Sequence, residues 1–221
     1  MIAVAIDGPA GAGKSSISKE AAKQLGFVYV DTGALYRSAG LFAMRKGFAV
    51  SEADQIIPCL PEMTVRFCHM QDGQHVFLND EDITEEIRSQ KVSAYASAVA
   101  ALPEVRAFLF DMQQQFAAEN NVIMDGRDIG TVVLPHAQVK IYLTASVEER
   151  AKRRYLELIK NSQQAELSVI EQEIRDRDEQ DMNRKVAPLK KAEDAVLVDT
   201  SELNFEESVA AITALIQEKL N

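Results

Sequence analysis

The fold class of this chain is decided by residues 2–15, Ile2-Ala3-Val4-Ala5-Ile6-Asp7-Gly8-Pro9-Ala10-Gly11-Ala12-Gly13-Lys14-Ser15. Residues 2–6 are an apolar run of the length that a buried parallel strand needs, and residues 16–25 have the pattern of a helix. Between them, residues 8–15 fit G-x-x-x-x-G-K-S, a loop whose backbone N–H groups surround phosphates at the positive end of the helix dipole. The stretch therefore predicts a nucleoside-triphosphate site.

Two side chains of this loop are expected to act on ATP. Lys14 is expected to reach the β- and γ-phosphates, and the Ser15 hydroxyl is expected to hold Mg²⁺. The residues predicted to bind the donor nucleotide through the loop are Gly8, Pro9, Ala10, Gly11, Ala12, Gly13, Lys14, Ser15 and Ser16.

Length and composition are typical of a soluble globular protein. The chain has 221 residues, of which 47% are hydrophobic and 26% charged, so it can bury a large core in one or two domains. The first apolar run stops at Asp7, which is too short for a signal peptide or a spanning helix, so we expect a cytoplasmic enzyme. No long heptad pattern is visible, which makes a monomer the default expectation.

The net charge of −10 makes a broad nucleic-acid surface an unattractive interpretation, because such surfaces are basic. An acidic protein that binds polyphosphate has to concentrate arginines locally, so arginines beside loops are informative. The two cysteines, Cys59 and Cys68, and the scattered His69, His75 and His136 show no metal-ligand spacing, and we expect neither a disulfide framework nor a zinc site.

The rest of the chain alternates strands and helices, which predicts an α/β fold with a five-stranded parallel sheet flanked by helices. The further strands are predicted at 27–30, 122–124, 139–143 and 195–198, and the further helices at 34–46, 51–60, 104–119, 147–160, 167–183 and 204–220. Ser51 is the predicted N-cap of its helix, with Pro61 at the end, and Asn204 with Glu207 resembles a capping box.

One segment departs from the alternation. Residues 63–70 and 75–78 flank Asp72-Gly73 and predict an antiparallel hairpin. We therefore expect a single domain whose core comprises about 1–61, 101–150 and 185–221, with an insert at about 62–100 and a lid arm at about 151–184.

Charged residues that follow the predicted strands are the candidates for chemistry, since ligands of parallel sheets bind at the carboxyl ends of strands. Arg127 lies in a glycine-containing loop after a buried strand and is the strongest candidate. Asp125 in the same loop is expected to orient Mg²⁺ through water, and Asp128 to accept hydrogen bonds from sugar hydroxyls. Arg37 follows the second strand by about one helical turn and is expected to point back towards the mouth of the sheet.

Two further groups of charged residues could either bind ligands or belong to an ordinary solvent-exposed helix surface. Arg150, Arg153 and Arg154 either bind phosphate or form an ordinary basic helix face. The helix with Arg175, Arg177 and Asp181 is by composition alone a solvated face.

The chain contains no Asn-Lys-x-Asp base-reading motif, which argues against a GTPase, and its compact length argues against a motor or transport ATPase. A small-molecule kinase is the remaining interpretation.

The sequence closely resembles the bacterial cytidylate kinases, the CMP kinase branch of the nucleoside monophosphate kinases. The resemblance spans the whole chain and is carried by four stretches: residues 8–15, Asp31-Thr32-Gly33-Ala34-Leu35-Tyr36-Arg37, Gly126-Arg127-Asp128-Ile129-Gly130-Thr131-Val132-Val133, and the segment from Arg177 to Leu189. It implies transfer of the ATP γ-phosphoryl group to CMP or dCMP, giving CDP or dCDP in pyrimidine nucleotide metabolism.

The resemblance also implies roles for individual positions. It places Lys14, Arg127, Asp128 and Arg37 in catalysis, and Arg153 and Arg154 at ATP. The residues implied to bind the acceptor nucleotide are Thr32, Arg37, Ser97, Arg106, Arg127, Asp128, Arg177, Asp181 and Arg184. Among these, Ser97 and Asp181 are implied to read the cytosine and its surroundings.

Two alternatives remain open from the sequence. A kinase for another monophosphate or metabolite would share the loop and lid, and a non-catalytic nucleotide-binding regulator would keep the loop and transfer nothing.

Overall fold

The computed structural model describes residues 1–70, 73–160 and 164–220. Its strands are β1 (Ala3–Asp7), β2 (Val28–Asp31), β3 (Val65–Met70), β4 (Gly73–Leu78), β5 (Glu81–Asp82), β6 (Val122–Gly126), β7 (Val139–Thr144) and β8 (Val196–Asp199). Its helices are α1 (Lys14–Leu25), α2 (Thr32–Arg45), α3 (Gln90–Ala100), α4 (Pro103–Glu119), α5 (Val147–Lys160), α6 (Leu167–Asn183) and α7 (Phe205–Leu220).

The chain divides into two compact units. The first unit comprises Met1–Val30 with Gln114–Asn221, and the second comprises Asp31–Gln113. The predicted insert at about 62–100 falls within the second unit. The division into core, insert and lid arm stays a prediction, and residues 161–163 of the arm lie outside the described residues.

A five-stranded parallel sheet in the order β2-β6-β1-β7-β8 confirms the predicted fold class. β1 pairs in parallel with both β6 and β7, with Asp7 opposite Gly126 and Tyr142. β6, which lies between β2 and β1, is buried along its whole length, because helices cover a parallel sheet on both faces. Since all these strands run the same way, the loops that follow β1 and β6 leave the sheet at the same edge.

The core of the first unit forms where α1 and α7 meet the sheet. Ile6, Ile123 and Ile141 of the strands pack in one cluster with Ile17 of α1 and Ile212 of α7. Fully burying a side chain of this size stabilises a fold by about 1.5–3 kcal/mol. This cluster therefore fixes the loop between β1 and α1 to a rigid base.

The second unit combines α2, α3 and most of α4 with a small antiparallel sheet, β3-β4-β5. Its core includes Leu35, Ile56, Ile83 and Leu109. At Gly40 of α2, a Cβ atom would lie 2.6 Å from the backbone nitrogen of Ala96 on α3. The two helices thus approach backbone to backbone, which only glycine permits at this position.

Three local predictions have clear outcomes. The hairpin is confirmed by β3 and β4, with β5 as an additional short strand, while Asp72 lies outside the described residues. The capping box is confirmed, because Asn204 and Glu207 exchange two hydrogen bonds of 2.9 Å. The Ser51 N-cap is wrong: Val50–Glu62 is a 3₁₀ segment that begins after Ala49, whose N–H donates to the Glu52 carboxylate.

The boundary at Pro61 also differs from the prediction, because Pro58 and Pro61 both lie inside this 3₁₀ segment. Proline has no N–H to donate, so these two residues do not extend a regular α-helix.

Helix α3 was not predicted. Among the described residues, no helix is both long enough and apolar enough to cross a membrane.

Candidate phosphoryl-transfer site

The loop between β1 and α1 has the backbone that phosphate binding requires. Gly11 and Gly13 have φ values of 75° and 87°, in the left-handed region that favours glycine. At Gly8 a Cβ atom would lie 1.9 Å from the carbonyl oxygen of Leu143 on β7, so no side chain fits there. The loop therefore holds a turned backbone directly at the N-terminus of α1, where N–H groups and the helix dipole attract anions.

Lys14 is the first residue of α1 and is buried, with only 5% of its surface exposed. Its Nζ donates to the carbonyl oxygen of Pro9 at 2.7 Å, within the same loop. Burial and the charge of Arg127 lower the pKa of Lys14 to about 7, against the opposing effect of Asp125 and Asp181. A phosphate placed beside this ammonium would favour its charged form.

The predicted magnesium ligands lie next to each other. Ser15 Oγ donates to Asp125 Oδ2 at 2.9 Å, and the other carboxylate oxygen of Asp125 accepts from the Tyr29 hydroxyl at 2.9 Å. Asp125 is buried at the end of β6. A hydroxyl and a carboxylate are hard oxygen donors of the kind that Mg²⁺ prefers, so these two residues fit the ion that accompanies a nucleoside triphosphate.

An ion pair joins the loop after β6 to the end of α6. Arg127 Nε donates to Asp181 Oδ2 at 2.8 Å, and Arg177 lies 3.9 Å from the same oxygen. Burial raises the pKa of Asp181, but Arg127, Arg177 and Arg184 together outweigh it and hold the pKa below its ordinary value. Asp181 is therefore an ionised partner that orients Arg127.

A second ion pair joins the same two regions. Arg184 Nη2 donates to Asp128 Oδ1 at 3.0 Å, and its Nε donates to the carbonyl oxygen of Ala187 at 2.5 Å. Ala187 has a φ of 47°, which an alanine rarely adopts and which costs on the order of 1 kcal/mol or more. This backbone conformation directs its carbonyl group at Arg184 and so helps to hold the guanidinium on Asp128.

The second unit contains the other predicted acceptor residues. Asp31 caps α2 by accepting from the backbone N–H of Ala34 at 2.9 Å, and its second oxygen accepts from Arg37 Nη2 at 2.7 Å. Thr32, buried, begins α2, and Ser97 is a half-buried residue of α3. Arg106 is buried on α4, where its guanidinium lies 5.5 Å from the centre of the Tyr36 ring.

The arginines of α5 separate into three environments. Arg150 is buried and donates to the carbonyl oxygen of Ala10 in the phosphate-binding loop at 2.9 Å, and to Asp178 of α6 at 2.6 Å. Arg153 donates to Thr200 Oγ1 at 3.3 Å and to the Thr200 carbonyl oxygen at 2.7 Å. Arg154 pairs with Glu157 on the exposed face of α5. The proposed ATP contacts of Arg153 and Arg154 stay predictions.

Sequence reasoning missed two residues of this network. Tyr29, in the middle of β2, supports Asp125 from a position 96 residues away in the chain. Asp178 forms an ion pair with Arg150 from α6, a helix whose composition alone indicates a solvent-exposed face. Asp178 stands one helical turn before the predicted Asp181, a spacing that marks one face of α6; Tyr29 carries no comparable signal.

The sheet, the turned glycine loop and the arginine-bearing loop after β6 together define a phosphate-binding-loop kinase. The family profile described as cytidylate kinase matches residues 4–218 of this chain. The chain therefore belongs to the cytidylate kinase family.

Individual relatives support this assignment. The chain is 45% identical over 216 residues to the cytidylate kinase of Carboxydothermus hydrogenoformans, covering 98% of this chain and 97% of that protein. It is 46% identical over 220 residues to the cytidylate kinase of Streptococcus pneumoniae, covering 99% of each. A solved structure of an uncharacterized protein from Eubacterium ventriosum, 10% identical, aligns with a TM-score of 0.56 over 98% of this chain and 99% of that one, which is a likeness of fold alone.

Proposed function

We propose that this protein is an ATP-dependent kinase that transfers the γ-phosphoryl group to CMP or dCMP and releases CDP or dCDP with ADP. The observation that carries the proposal is the 45–46% identity to cytidylate kinases over nearly the whole chain. The intact phosphate-binding loop and the buried Lys14 at its end support the binding of ATP as the donor.

The donor side of the reaction rests on the phosphate-binding loop. Its backbone N–H groups bind the phosphates, and Lys14 places positive charge at the β- and γ-phosphates. Ser15, and Asp125 through water, would hold Mg²⁺, which neutralises charge on the donor phosphates when it is bound. The short contact between Ser15 and Asp125 supports this pairing of ligands.

The acceptor side rests on arginines and carboxylates. We assign phosphate binding to Arg37, Arg106 and Arg127, because a guanidinium can bind two phosphate oxygens at once. Asp128 would bind the sugar, and Ser97 and Asp181 the cytosine and its surroundings. The remaining acceptor-binding residues in this proposal are Thr32, Arg177 and Arg184.

Transfer breaks the bond between the γ-phosphorus and the β,γ-bridging oxygen, and it forms a bond from the γ-phosphorus to an oxygen of the acceptor phosphate. That phosphate is already ionised, so the chain does not have to supply a general base. Lys14, Arg127 and Arg37 stabilise the charge that develops on the transferring group. Closure of the predicted lid arm and insert would exclude water, which otherwise competes as an acceptor.

The family gives nucleotides as substrates, and we extend this to a monomer that works on the nucleotide pool of the cytoplasm. The monomer is checked by sedimentation equilibrium, where a species of about 24.5 kDa is expected. A larger species that does not dissociate on dilution contradicts the monomer and leaves the reaction untouched.

The reaction is tested by an acceptor panel of CMP, dCMP, UMP, AMP and shikimate with ATP and Mg²⁺. Preferential formation of CDP or dCDP is expected. Another phosphorylated product would support the alternative of a different small-molecule kinase, and no transfer to any acceptor would support a nucleotide-binding regulator.

Two variants test the catalytic assignments. Lys14→Ala and Arg127→Ala are each expected to lower kcat about 100-fold or more at saturating nucleotide, because each removes positive charge from the transferring group. Arg66→Ala is the matched control: this arginine is exposed on β3 and pairs with Asp80, so it is expected to keep normal turnover. Wild-type kcat in either test variant would remove that residue from the mechanism.

A further inference from the structure

Asp7 is a buried carboxylate to which the reaction described so far gives no role. It is the last residue of β1 and directly precedes the phosphate-binding loop, with 3% of its surface exposed. One carboxylate oxygen accepts from the backbone N–H of Ile129 at 2.8 Å, and the other accepts from the backbone N–H of Gly130 at 2.7 Å. Both oxygens are thus used on two consecutive residues of one turn.

That turn follows Arg127 and Asp128 directly in the chain. The carbonyl oxygen of Asp128 accepts from the N–H groups of Val132 and Val133 at 2.9 and 3.1 Å, which closes the turn. On the other side of Arg127, Gly126 is opposite Asp7 in the β1–β6 pairing. Asp7 therefore fixes the arginine-bearing loop from both ends, by its backbone before Arg127 and by its side chain after Asp128.

The contact is also closely packed. A Cβ atom on Gly130 would lie 3.3 Å from Asp7 Oδ2 and 3.2 Å from Lys140 Cδ. A methyl group there would therefore be in tight contact with both side chains, and the carboxylate or the aliphatic part of Lys140 would have to move by a few tenths of an ångström. A small displacement of Asp7 would consequently move the turn.

Burying a carboxylate costs desolvation free energy, so a carboxylate that stays buried is expected to have a structural or functional role. Burial raises the pKa of Asp7 to about 6, although both backbone hydrogen bonds oppose the shift. Asp128 raises the pKa of Asp7 further, and Lys14 lowers it. The charge of Asp7 in turn contributes to the raised pKa of the Tyr142 hydroxyl on β7. In the neutral acid the hydroxyl oxygen is a weaker acceptor than a carboxylate oxygen, so the ionised form binds the two N–H groups more strongly.

We propose that Asp7 is a positioning residue for phosphoryl transfer: its carboxylate holds the turn at Ile129 and Gly130 and thereby sets Arg127 and Asp128 in register with the phosphate-binding loop. It acts through backbone contacts and does not touch the nucleotides. The inference rests on the proposed function of Arg127 in the reaction. It goes beyond that function in naming the group that aligns the two loops.

The kinetic test uses Asp7→Asn, which keeps the shape but offers a single good acceptor. We expect kcat to fall about 10- to 100-fold, because small misplacements of a reacting group have effects of this size. KM for ATP should stay within about threefold, since the donor loop itself is intact. An unchanged kcat, or a loss that appears only in KM for ATP, overturns the proposal.

Two further variants separate positioning from a general loss of stability. Gly130→Ala crowds the same contact from the other side, so it should lower kcat like Asp7→Asn, and the double variant should lose less than the product of the two single effects. Ile216→Val, in the core of α7, lowers stability far from the site and should keep wild-type kcat. Independent, multiplying effects of the first two variants contradict a shared contact.

A spectroscopic test needs no substrate and remains informative if the acceptor turns out to be another molecule. In ¹⁵N-resolved NMR spectra of the free protein, the amide signals of Ile129 and Gly130 should shift together with a midpoint near pH 6. In Asp7→Asn, neither should show this transition. Wild-type amides that show no common transition at any pH below neutrality at which the protein stays folded overturn the proposed contact, whereas failure of the acceptor panel alone affects the proposed function.

Discussion

At the scale of one residue, Lys14 shows that burying the ammonium group of a phosphate site lowers the free energy of unfolding. The ammonium group is buried and shares its surroundings with Arg127, which together lower its pKa from 10.5 to about 7. Between these two values, the unfolded chain binds more protons than the folded chain. The free energy of unfolding therefore rises with pH across this window, and the penalty of the buried charge is largest below about pH 7.

We predict that Lys14→Met stabilises the nucleotide-free protein while it abolishes catalysis. The gain in the free energy of unfolding should be on the order of 1 kcal/mol or more at about pH 6.5 and should be clearly smaller at about pH 9.5, because most of the wild-type penalty has been lost by that pH. Urea unfolding at the two pH values measures the difference.

The control is Lys23→Met, at the other end of α1. Lys23 is exposed, and an exposed charge contributes little to stability at either pH. An advantage of Lys14→Met that is equal at both pH values would show that methionine packing, and not the buried charge, is responsible.

Residues within a motif were predictable, and residues that act across the fold were not. Lys14 and Ser15 follow from a spacing in one short stretch, and Arg127 from its position after a strand. Asp7 and Tyr29 act on groups 122 and 96 positions away in the sequence. Nothing local in the sequence marks such contacts, because they exist only once β1, β2 and β6 lie side by side.

At the scale of elements, helices α5 and α6 are linked to the phosphate-binding loop by a buried ion pair. The guanidinium of Arg150 contacts Asp178 and the carbonyl oxygen of Ala10, and both charged side chains are almost inaccessible to water. Removing one partner leaves the other charge buried without compensation, which is more costly than the pair itself is favourable.

We predict that Arg150→Ala and Asp178→Ala each lower the free energy of unfolding by about 3–5 kcal/mol. The double variant should lose less than the sum, with a coupling of about 1–3 kcal/mol. Chemical denaturation of the three variants gives the complete cycle.

The matched control lies on the same helix. Arg154 pairs with Glu157 on the surface, and Arg154→Ala is expected to cost about 0.5 kcal/mol or less. Additive losses in the cycle would show that Arg150 and Asp178 stabilise the fold through separate partners.

The elements that the sequence did not predict are those whose form depends on packing. Helix α3 mixes alanines, which favour a helix, with serines, valines and a tyrosine, which favour it less, and it is stabilised by burying Val92, Ala96 and Val99. The segment Val50–Glu62 is 3₁₀ because two prolines interrupt the α-helical hydrogen bonds. The strands and helices of the first unit were predictable because their hydrophobic periods are regular.

At the scale of the whole molecule, the proposed donor and acceptor residues are distributed unequally between the two units. The phosphate-binding loop belongs to the first unit, whereas Arg37 and Arg106 belong to the second. Each nucleotide is therefore expected to stabilise the protein through its own set of residues.

We predict that ATP with Mg²⁺ and CMP each raise the melting temperature, by about 5–10 °C at concentrations of about 100 Kd. Lys14→Ala should lose the shift caused by ATP and keep the shift caused by CMP. Arg106→Ala should show the reverse pattern. Differential scanning calorimetry of both variants with each nucleotide distinguishes the two sites, and a variant that loses both shifts would contradict separate binding.

The close approach of α2 and α3 at Gly40 has a consequence for how this protein tolerates change. Gly40 contacts no proposed ligand, yet even alanine would force its Cβ into the backbone of Ala96. In a library that samples every amino acid at every position and is selected for growth, position 40 should be as intolerant as Lys14. The cause would differ, because substitutions at Gly40 would fail when their side chains do not fit into the short distance between α2 and α3.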